Sequence, residues 1–186
     1  MKLLFVIVSF FSIQSFGYFL STGTHVPYLA KAQTNNSGST EIFSINPYFG
    51  IGTQLNLGKA HYFSPEIGYA YYADGVEGSR SESILLQYNF SYVLTNQFAL
   101  RYGLSNHWFR IVGKGGTVTL NNGSDTREFA APSRTVTSYY STLNFGLEYM
   151  FQSKKFSLRF DLNMMNFREF ENRVFNYLLT FNFYRF

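Results

Sequence analysis

Seven segments of this chain alternate apolar and polar residues with a period of two, which is typical of a β-strand whose two faces meet different surroundings. Glycine, serine, asparagine, threonine or a sparse charge occupies the alternate positions of each segment. The pattern therefore predicts an all-β protein. The apolar series are Phe43/Ile45/Phe49/Ile51, Phe63/Ile67/Tyr69/Tyr71, Ile84/Leu86/Tyr88/Phe90/Tyr92, Phe98/Leu100/Tyr102/Leu104, Tyr139/Leu143/Phe145/Leu147/Tyr149/Phe151, Phe156/Leu158/Phe160/Leu162/Met164 and Phe175/Tyr177/Leu179/Phe181/Phe183.

The connections between these segments alternate in length. They are short at 55–59, 95–97 and 152–155, and longer at 74–81, 106–134 and 166–172. Bacterial membrane barrels have short periplasmic turns and longer outer loops, so the first clear strand is predicted to run down toward the periplasm. A chain that starts on the periplasmic side then needs one more strand before it. Residues 18–30 are the candidate, followed by a polar loop at 31–41.

The predicted fold is therefore an eight-stranded antiparallel up-and-down transmembrane β-barrel. At this size side chains fill the interior and leave no wide aqueous channel. The last segment supports closure, because an aromatic C-terminal edge strand in a soluble protein would invite pairing with other chains. Pro47 and Pro65 fall inside the first clear hairpin, where a residue without an N–H predicts a bulge or interrupted pairing.

The N-terminus has the pattern of a signal peptide. Lys2 precedes an apolar run over residues 3–11, and Ser15-Phe16-Gly17 is a small-x-small cleavage pattern. The alternative is a membrane anchor, but a spanning helix needs ~20 apolar residues. We therefore expect residues 1–17 to be removed on export, leaving an outer-membrane barrel domain at 18–186.

Composition agrees with a membrane barrel and excludes other classes. Aromatic residues make up 20% of the chain and charged residues 14%, yet mean hydropathy is only −0.09, because a barrel places its apolar residues at every second position. There is no cysteine, and therefore neither a disulfide nor a lipoprotein anchor. The isoelectric point is near 9.2, but the long loops carry both signs, so nucleic-acid binding is not expected.

The second face of the strands is small and neutral, with a few ions. Those ions lie within a few residues of the short turns, and pairing across 152–155 places Glu148 directly opposite Arg159. Because buried charges must be paired, we predict an interior salt-bridge cluster that plugs the lower barrel. The alternatives are a proton or ion gate and a catalytic carboxylate pair. The cluster comprises Glu66, Arg101, Glu148, Arg159 and Asp161.

The ending Tyr184-Arg185-Phe186 resembles the Tyr-x-Phe finish of bacterial outer-membrane barrels, which is similar to the signal read by the barrel-assembly machinery. With the strand count and signal peptide, the chain resembles the OmpX/OmpA-type small barrels, and its ending is also similar to that of OmpW proteins. The resemblance implies a monomer with a structural or adhesive role, surrounded by outer-membrane lipid and lipopolysaccharide. An OmpW-like channel for small solutes is an alternative.

The remaining alternative is a lipid A-modifying enzyme. Ser105 and His107 share a parity, and a lipid-facing Ser–His pair could cleave an ester. The lipid A deacylase family has His-x-Ser near its C-terminal strand, whereas this chain has the reverse order elsewhere. His25 and His61 are isolated in the sequence, and no metal-ligand spacing or phosphate-binding loop is present. We therefore expect neither an enzyme nor a cofactor.

The long connection at 106–134 is the expected binding surface for an extracellular partner. It contains Thr117-Val-Thr-Leu followed by Asn121-Asn-Gly123. Asn-Gly favours a tight turn, so this stretch predicts a protruding hairpin.

Overall fold

The computed structural model describes residues 17–26, 33–34, 40–41, 46–72, 79–121, 126–130, 133–169 and 173–185. Within these residues no helix is long and apolar enough to cross a membrane. In chain order the strands are β1 (Gly17–Val26), β2 (Gln33–Thr34), β3 (Thr40–Glu41), β4 (Pro47–Asn56), β5 (His61–Tyr72), β6 (Ser79–Val93), β7 (Phe98–Gly113), β8 (Thr117–Asn121), β9 (Thr126–Ala130), β10 (Val136–Met150), β11 (Phe156–Met165) and β12 (Val174–Arg185).

Eight strands close into one antiparallel barrel in the order β1-β12-β11-β10-β7-β6-β5-β4. Strands β2 and β3 form a separate two-stranded sheet, and so do β8 and β9. The predicted eight-stranded up-and-down barrel is therefore confirmed. We call the end that carries the short connections 57–60, 94–97 and 151–155 the lower end, and the opposite end the upper end.

The barrel is apolar outside and polar inside. Among the described residues, the buried set contains more than twice as many polar or charged side chains as apolar ones. Large apolar side chains such as Leu100, Phe145 and Leu147 are instead about half exposed on the outer wall. This is the reverse of a water-soluble barrel and matches the alternation of lipid-facing and inward-facing residues in membrane barrels.

Cross-strand register follows the predicted parity. Glu148 lies opposite Arg159, and Tyr149 lies opposite Leu158, as predicted from the short turn between β10 and β11. In β12, Phe183 faces outward and Tyr184 is buried. Phe186 and the predicted signal-peptide residues 1–16 lie outside the described residues, while Gly17 already pairs with Gln54 in the first strand.

The two prolines are accommodated differently. Pro47 is the first residue of β4, a position where a missing N–H costs little. Pro65 pairs with Tyr88 of β6, but the β4–β5 pairing stops after Gly52↔Glu66 and resumes at Leu55↔Phe63. Pairing is interrupted as predicted, and the register is the same on both sides of the gap.

The upper ends of the strands differ from the predicted boundaries. The loop predicted at 106–134 starts later in the structure, because β7 continues to Gly113. The next barrel strand, β10, begins at Val136. Above Leu104 the outward residues are no longer strongly apolar. The period-two alternation therefore weakens there and does not predict a strand. The hairpin within this connection is confirmed as β8 paired with β9, and its turn at 122–125 lies outside the described residues.

Two aromatic rings point into the barrel and occupy space left by glycines. The sequence predicted a small, neutral interior and did not include these rings. Tyr48 and Phe19 are buried inside the barrel. A Cβ at Gly68 would collide with the Tyr48 ring, and a Cβ at Gly52 would collide with the Phe19 ring. These glycines are required because a ring from the neighbouring strand lies directly over their backbone.

Candidate functional site in the barrel interior

The structure brings together all five charged residues of the predicted interior cluster. Arg159 Nη1 lies 2.6 Å from Glu66 Oε2. Arg101 Nε lies 3.0 Å from Asp161 Oδ1, and Arg101 Nη1 lies 3.5 Å from Glu148 Oε2. All five side chains are at most 2% exposed. Each ion is thus paired where water cannot compensate it, as buried charges require.

Neutral hydroxyl groups add hydrogen bonds to this lower cluster. Ser157 Oγ donates to Glu148 Oε1 at 2.5 Å, and the Tyr184 hydroxyl donates to the same oxygen. Arg101 Nη1 donates to Ser91 Oγ at 3.2 Å. The inward role of Tyr184 was missed, because the sequence pattern assigned it only to the C-terminal assembly signal.

The ion pair between Arg159 and Glu66 spans the lumen. Their strands, β11 and β5, are four positions apart in the eight-stranded order and so occupy opposite walls. The guanidinium carbon of Arg159 also lies 4.9 Å from the centroid of the Phe19 ring. Side chains from β1, β5 and β11 therefore meet in the lower lumen, as expected for a barrel of this size.

Gly146 provides the room for the second ion pair. It lies opposite both Arg101 and Asp161 in its neighbouring strands. A Cβ at this position would collide with Asp161 Oδ1. A glycine between the two charged residues therefore lets the carboxylate of Asp161 lie over β10 and reach Arg101.

A chain of hydrogen bonds rises from Glu66 toward the upper end. The Tyr48 hydroxyl donates to Glu66 Oε1 at 2.8 Å and accepts from Gln87 Nε2 at 2.8 Å. Gln87 Oε1 accepts from Asn89 Nδ2 at 3.1 Å, and Asn89 Oδ1 accepts from Asn144 Nδ2 at 2.9 Å. Because a carboxylate only accepts, every donor in this chain points toward Glu66.

The chain ends at Ser105 and His107. Asn144 Oδ1 accepts from Thr142 Oγ1 at 2.8 Å and from Ser105 Oγ at 3.2 Å. Ser105 Oγ lies 2.9 Å from His107 Nε2 and 2.6 Å from Thr142 Oγ1. The polar interior is thus one connected network from the lower ion cluster to the upper barrel.

The structure corrects the suggestion of a lipid-facing Ser–His pair. Ser105 and His107 are 1% and 0% exposed inside the barrel, because they share the inward parity of Arg101. His107 Nδ1, where an orienting carboxylate would bind, has no hydrogen-bond partner among the described residues. The pair therefore lacks both the lipid contact and the third group of a triad.

The comparisons with known proteins support the fold and no more specific relationship. No protein-family model matches the sequence, and none of the curated proteins matches it. Among solved structures, Ail, the attachment invasion locus protein of Yersinia pestis, matches with a TM-score of 0.54 and 7% identity over 93% of this chain and 100% of that chain. Neisserial surface protein A matches with a TM-score of 0.50 and 9% identity over 92% and 98%.

The chain is therefore similar in fold to small eight-stranded outer-membrane barrels. This confirms the fold predicted from the strand count. At these identities the likeness concerns backbone architecture, so the interior network must be interpreted from this chain's own residues.

The filled lumen leads to a prediction for ion conduction. In planar lipid bilayers we expect no steady conductance from the wild-type barrel, since Arg159 and Glu66 join opposite walls. Replacing both (Arg159→Ala with Glu66→Ala) should open a water path and give measurable single-channel currents. The matched control is Arg110→Ala with Glu82→Ala, a partly exposed ion pair at 3.1 Å, which should stay silent. A steady wild-type current would contradict the plug.

Proposed function

We propose that this protein is an exported, integral outer-membrane barrel with a structural and adhesive role, whose upper end presents an interaction surface outside the cell. The observation that carries the adhesive part is a local extension of the barrel wall. Strands β6, β7 and β10 contain 15, 16 and 15 residues, whereas about 9–11 residues suffice to cross a bilayer.

The extended strands are neighbours, in the order β10-β7-β6. The first four residues of β10 are all exposed, so both faces of that strand have left the closed barrel. The β8–β9 hairpin lies in the connection between β7 and β10. One side of the barrel thus continues upward as a sheet that is longer than membrane crossing requires.

This upper sheet and its connections carry charges of both signs. Exposed Arg80 and Arg110 both pair with Glu82. Segments 74–82 and 106–134 contain five cationic and five acidic residues and therefore have no net charge. Ail, whose name refers to attachment and invasion, has the same fold and supports an adhesive role.

Membrane insertion is supported by the reversed polarity of the barrel. The outer wall would contact outer-membrane lipid and lipopolysaccharide, while residues 1–17 would direct export. We propose that the barrel is monomeric, since closure leaves no strand edge of the barrel unpaired. In the folded barrel Tyr184 is only 6% exposed, so the assembly machinery would read the segment with Tyr184 and Phe186 before closure.

Loop replacement tests the adhesive role. Substituting residues 115–133 by Gly-Ser-Gly should abolish binding of expressing bacteria to plates coated with matrix protein or an anionic polysaccharide. The host strain should lack other adhesins. The matched control replaces residues 152–154 at the lower end by the same sequence and should bind normally.

Heat-modifiable gel mobility of the detergent-extracted protein establishes that each variant is a folded barrel. The adhesive role is wrong if the folded 115–133 variant binds as well as the wild type, or if the wild type confers no binding. The membrane assignment is tested separately, because a protein that folds as a monomer in buffer without detergent would not be an integral barrel.

A further inference from the structure

Two histidines from opposite walls meet inside the upper barrel. His25 is on β1 and His107 on β7, four positions apart in the closed order. Both are 0% exposed, and their ring centroids are 5.9 Å apart. A buried imidazole normally has both nitrogens satisfied, so the remaining nitrogen of each ring decides what this pair can do.

The hydrogen-bond chain from Glu66 determines the tautomer of His107. Thr142 uses its only hydrogen toward Asn144 Oδ1, and Ser105 uses its own toward Asn144 or Thr142. With both hydroxyl hydrogens used in this way, the Ser105 oxygen accepts from His107, which places the imidazole hydrogen on Nε2. The reverse order, from Thr142 to Ser105 to His107, would leave Asn144 Oδ1 without either hydroxyl donor. Nδ1 of His107 then carries a lone pair, and it has no hydrogen-bond partner among the described residues.

His25 is held in a similar way. Its backbone N–H donates to Asn46 O at 3.0 Å, and its Nδ1 lies 2.7 Å from the Tyr72 hydroxyl. Its Nε2 lies near Oδ1 of Asn176. Neither of these two atoms has a hydrogen bond of good geometry in the described part of the chain. A ring nitrogen fixed by a hydroxyl, with the other nitrogen available, is how proteins orient a histidine that binds a metal.

Further unsatisfied acceptors lie next to this pair. Asn163 is directly opposite Asn176 in β11 and β12, and its Oδ1 also lacks a partner among the described residues. With the His25 ring hydrogen on Nδ1 and donated to Tyr72, the two ring nitrogens and the two amide oxygens all present lone pairs. With that hydrogen on Nε2, Asn176 Oδ1 would be its acceptor. A single water has only two hydrogens to give, whereas one cation can accept several lone pairs.

Charge in the lower interior also favours a cation. The buried cluster contains three carboxylates, Glu66, Glu148 and Asp161, but two guanidinium groups, Arg101 and Arg159. With these groups ionised, the cluster carries one surplus negative charge. In a closed interior of low dielectric, such a charge attracts a cation more strongly than it would in water.

We propose that His25 Nε2 and His107 Nδ1 bind a divalent transition-metal cation such as Zn²⁺, Cu²⁺ or Ni²⁺, the class that imidazole ligands suit. With metal–nitrogen bonds of about 2.0–2.1 Å, two imidazoles on one tetrahedral to linear centre have centroids about 5–6.5 Å apart, which includes the observed separation. No third His, Cys, Asp or Glu joins them among the described residues. Asn176 Oδ1 and water would complete the coordination.

The test uses the full barrel folded in detergent micelles and treated with a chelator. On adding Zn²⁺ we expect saturable one-to-one binding by calorimetry and a rise in Tm that the chelator reverses. Changing either ligand, by His25→Gln or His107→Gln, should weaken binding at least tenfold. His61→Gln is the matched control, because His61 is exposed at the lower end and should not affect binding.

Nitrogen-15 NMR of the imidazole rings tests the wild-type protein directly, should a variant fail to fold. Without metal, His107 should be the Nε2–H tautomer, and Zn²⁺ should shift the signals of His25 and His107 but not His61. The proposal is overturned if His107 carries its proton on Nδ1, if Zn²⁺ does not bind saturably, or if it shifts only His61. The proposal is also overturned if both ligand variants bind Zn²⁺ as tightly as the wild type.

Discussion

Arg159→Met should lower the free energy of unfolding of the barrel by about 3–5 kcal/mol, the usual cost of leaving a buried charge without its partner. Glu66 loses its 2.6 Å ion pair, while Met fills much of the volume of the arginine stem. Since the Glu66 side chain is 1% exposed, water cannot replace the guanidinium. The loss should therefore come from charge rather than from packing.

Urea unfolding in lipid vesicles, followed by fluorescence of Trp108, the only tryptophan in the sequence, measures this change. Arg185→Met is the matched control, because Arg185 is exposed at the lower end of β12 and should change stability little. Adding Glu66→Gln to Arg159→Met should recover part of the loss by removing the unpaired carboxylate. Equal stability of Arg159→Met and Arg185→Met would show that the ion pair does not hold the lumen together.

Phe145→Arg should reduce the unfolding free energy by about 2–4 kcal/mol, the cost of a cationic side chain on the lipid face at mid-membrane depth. Phe145 is 50% exposed on the outer wall near the middle of its cross-strand pairs. In water such an exposed ring could be replaced with little penalty. The size of the effect therefore reports directly on whether lipid contacts this wall.

Tyr139→Arg on the same strand serves as the comparison. Tyr139 is 58% exposed but lies in the part of β10 that extends above the barrel, so the same cation should cost little there. Both variants are folded into vesicles and unfolded with urea. If the two substitutions have equal effects, the proposed depth of the membrane along β10 is wrong.

Local pattern was sufficient to predict the lower barrel. Glu148 and Arg159 flank a short turn, so period-two alternation and the turn length place them opposite each other without further information. The same parity rule places Ser105 and His107 on the inward face with Arg101, so the hypothesis of a lipid-facing esterase pair is wrong. The parity of the whole strand, rather than of the pair alone, decides which face these side chains occupy.

The length of the strands at the upper end was harder to predict from the sequence. Above Leu104, β7 continues through Trp108 and Arg110 without a strongly apolar outer face, so the alternation no longer marks it as a strand. Pairing with β6 and β10 maintains the strand there, for example at Glu82↔Arg110 and Thr137↔Arg110. Backbone hydrogen bonding to neighbouring strands does not depend on side-chain polarity, and so it leaves no period in the sequence.

The sequence by itself determined the number of barrel strands, their antiparallel order and the face of most residues in the lower barrel, because these depend on alternation and turn length within a few residues. Only the tertiary structure decided which inward side chains meet across the lumen. Arg159 with Glu66, and His25 with His107, are distant in the chain and lie on opposite walls. Their meeting depends on barrel closure and on the relative height of strands that do not pair, which no local pattern encodes.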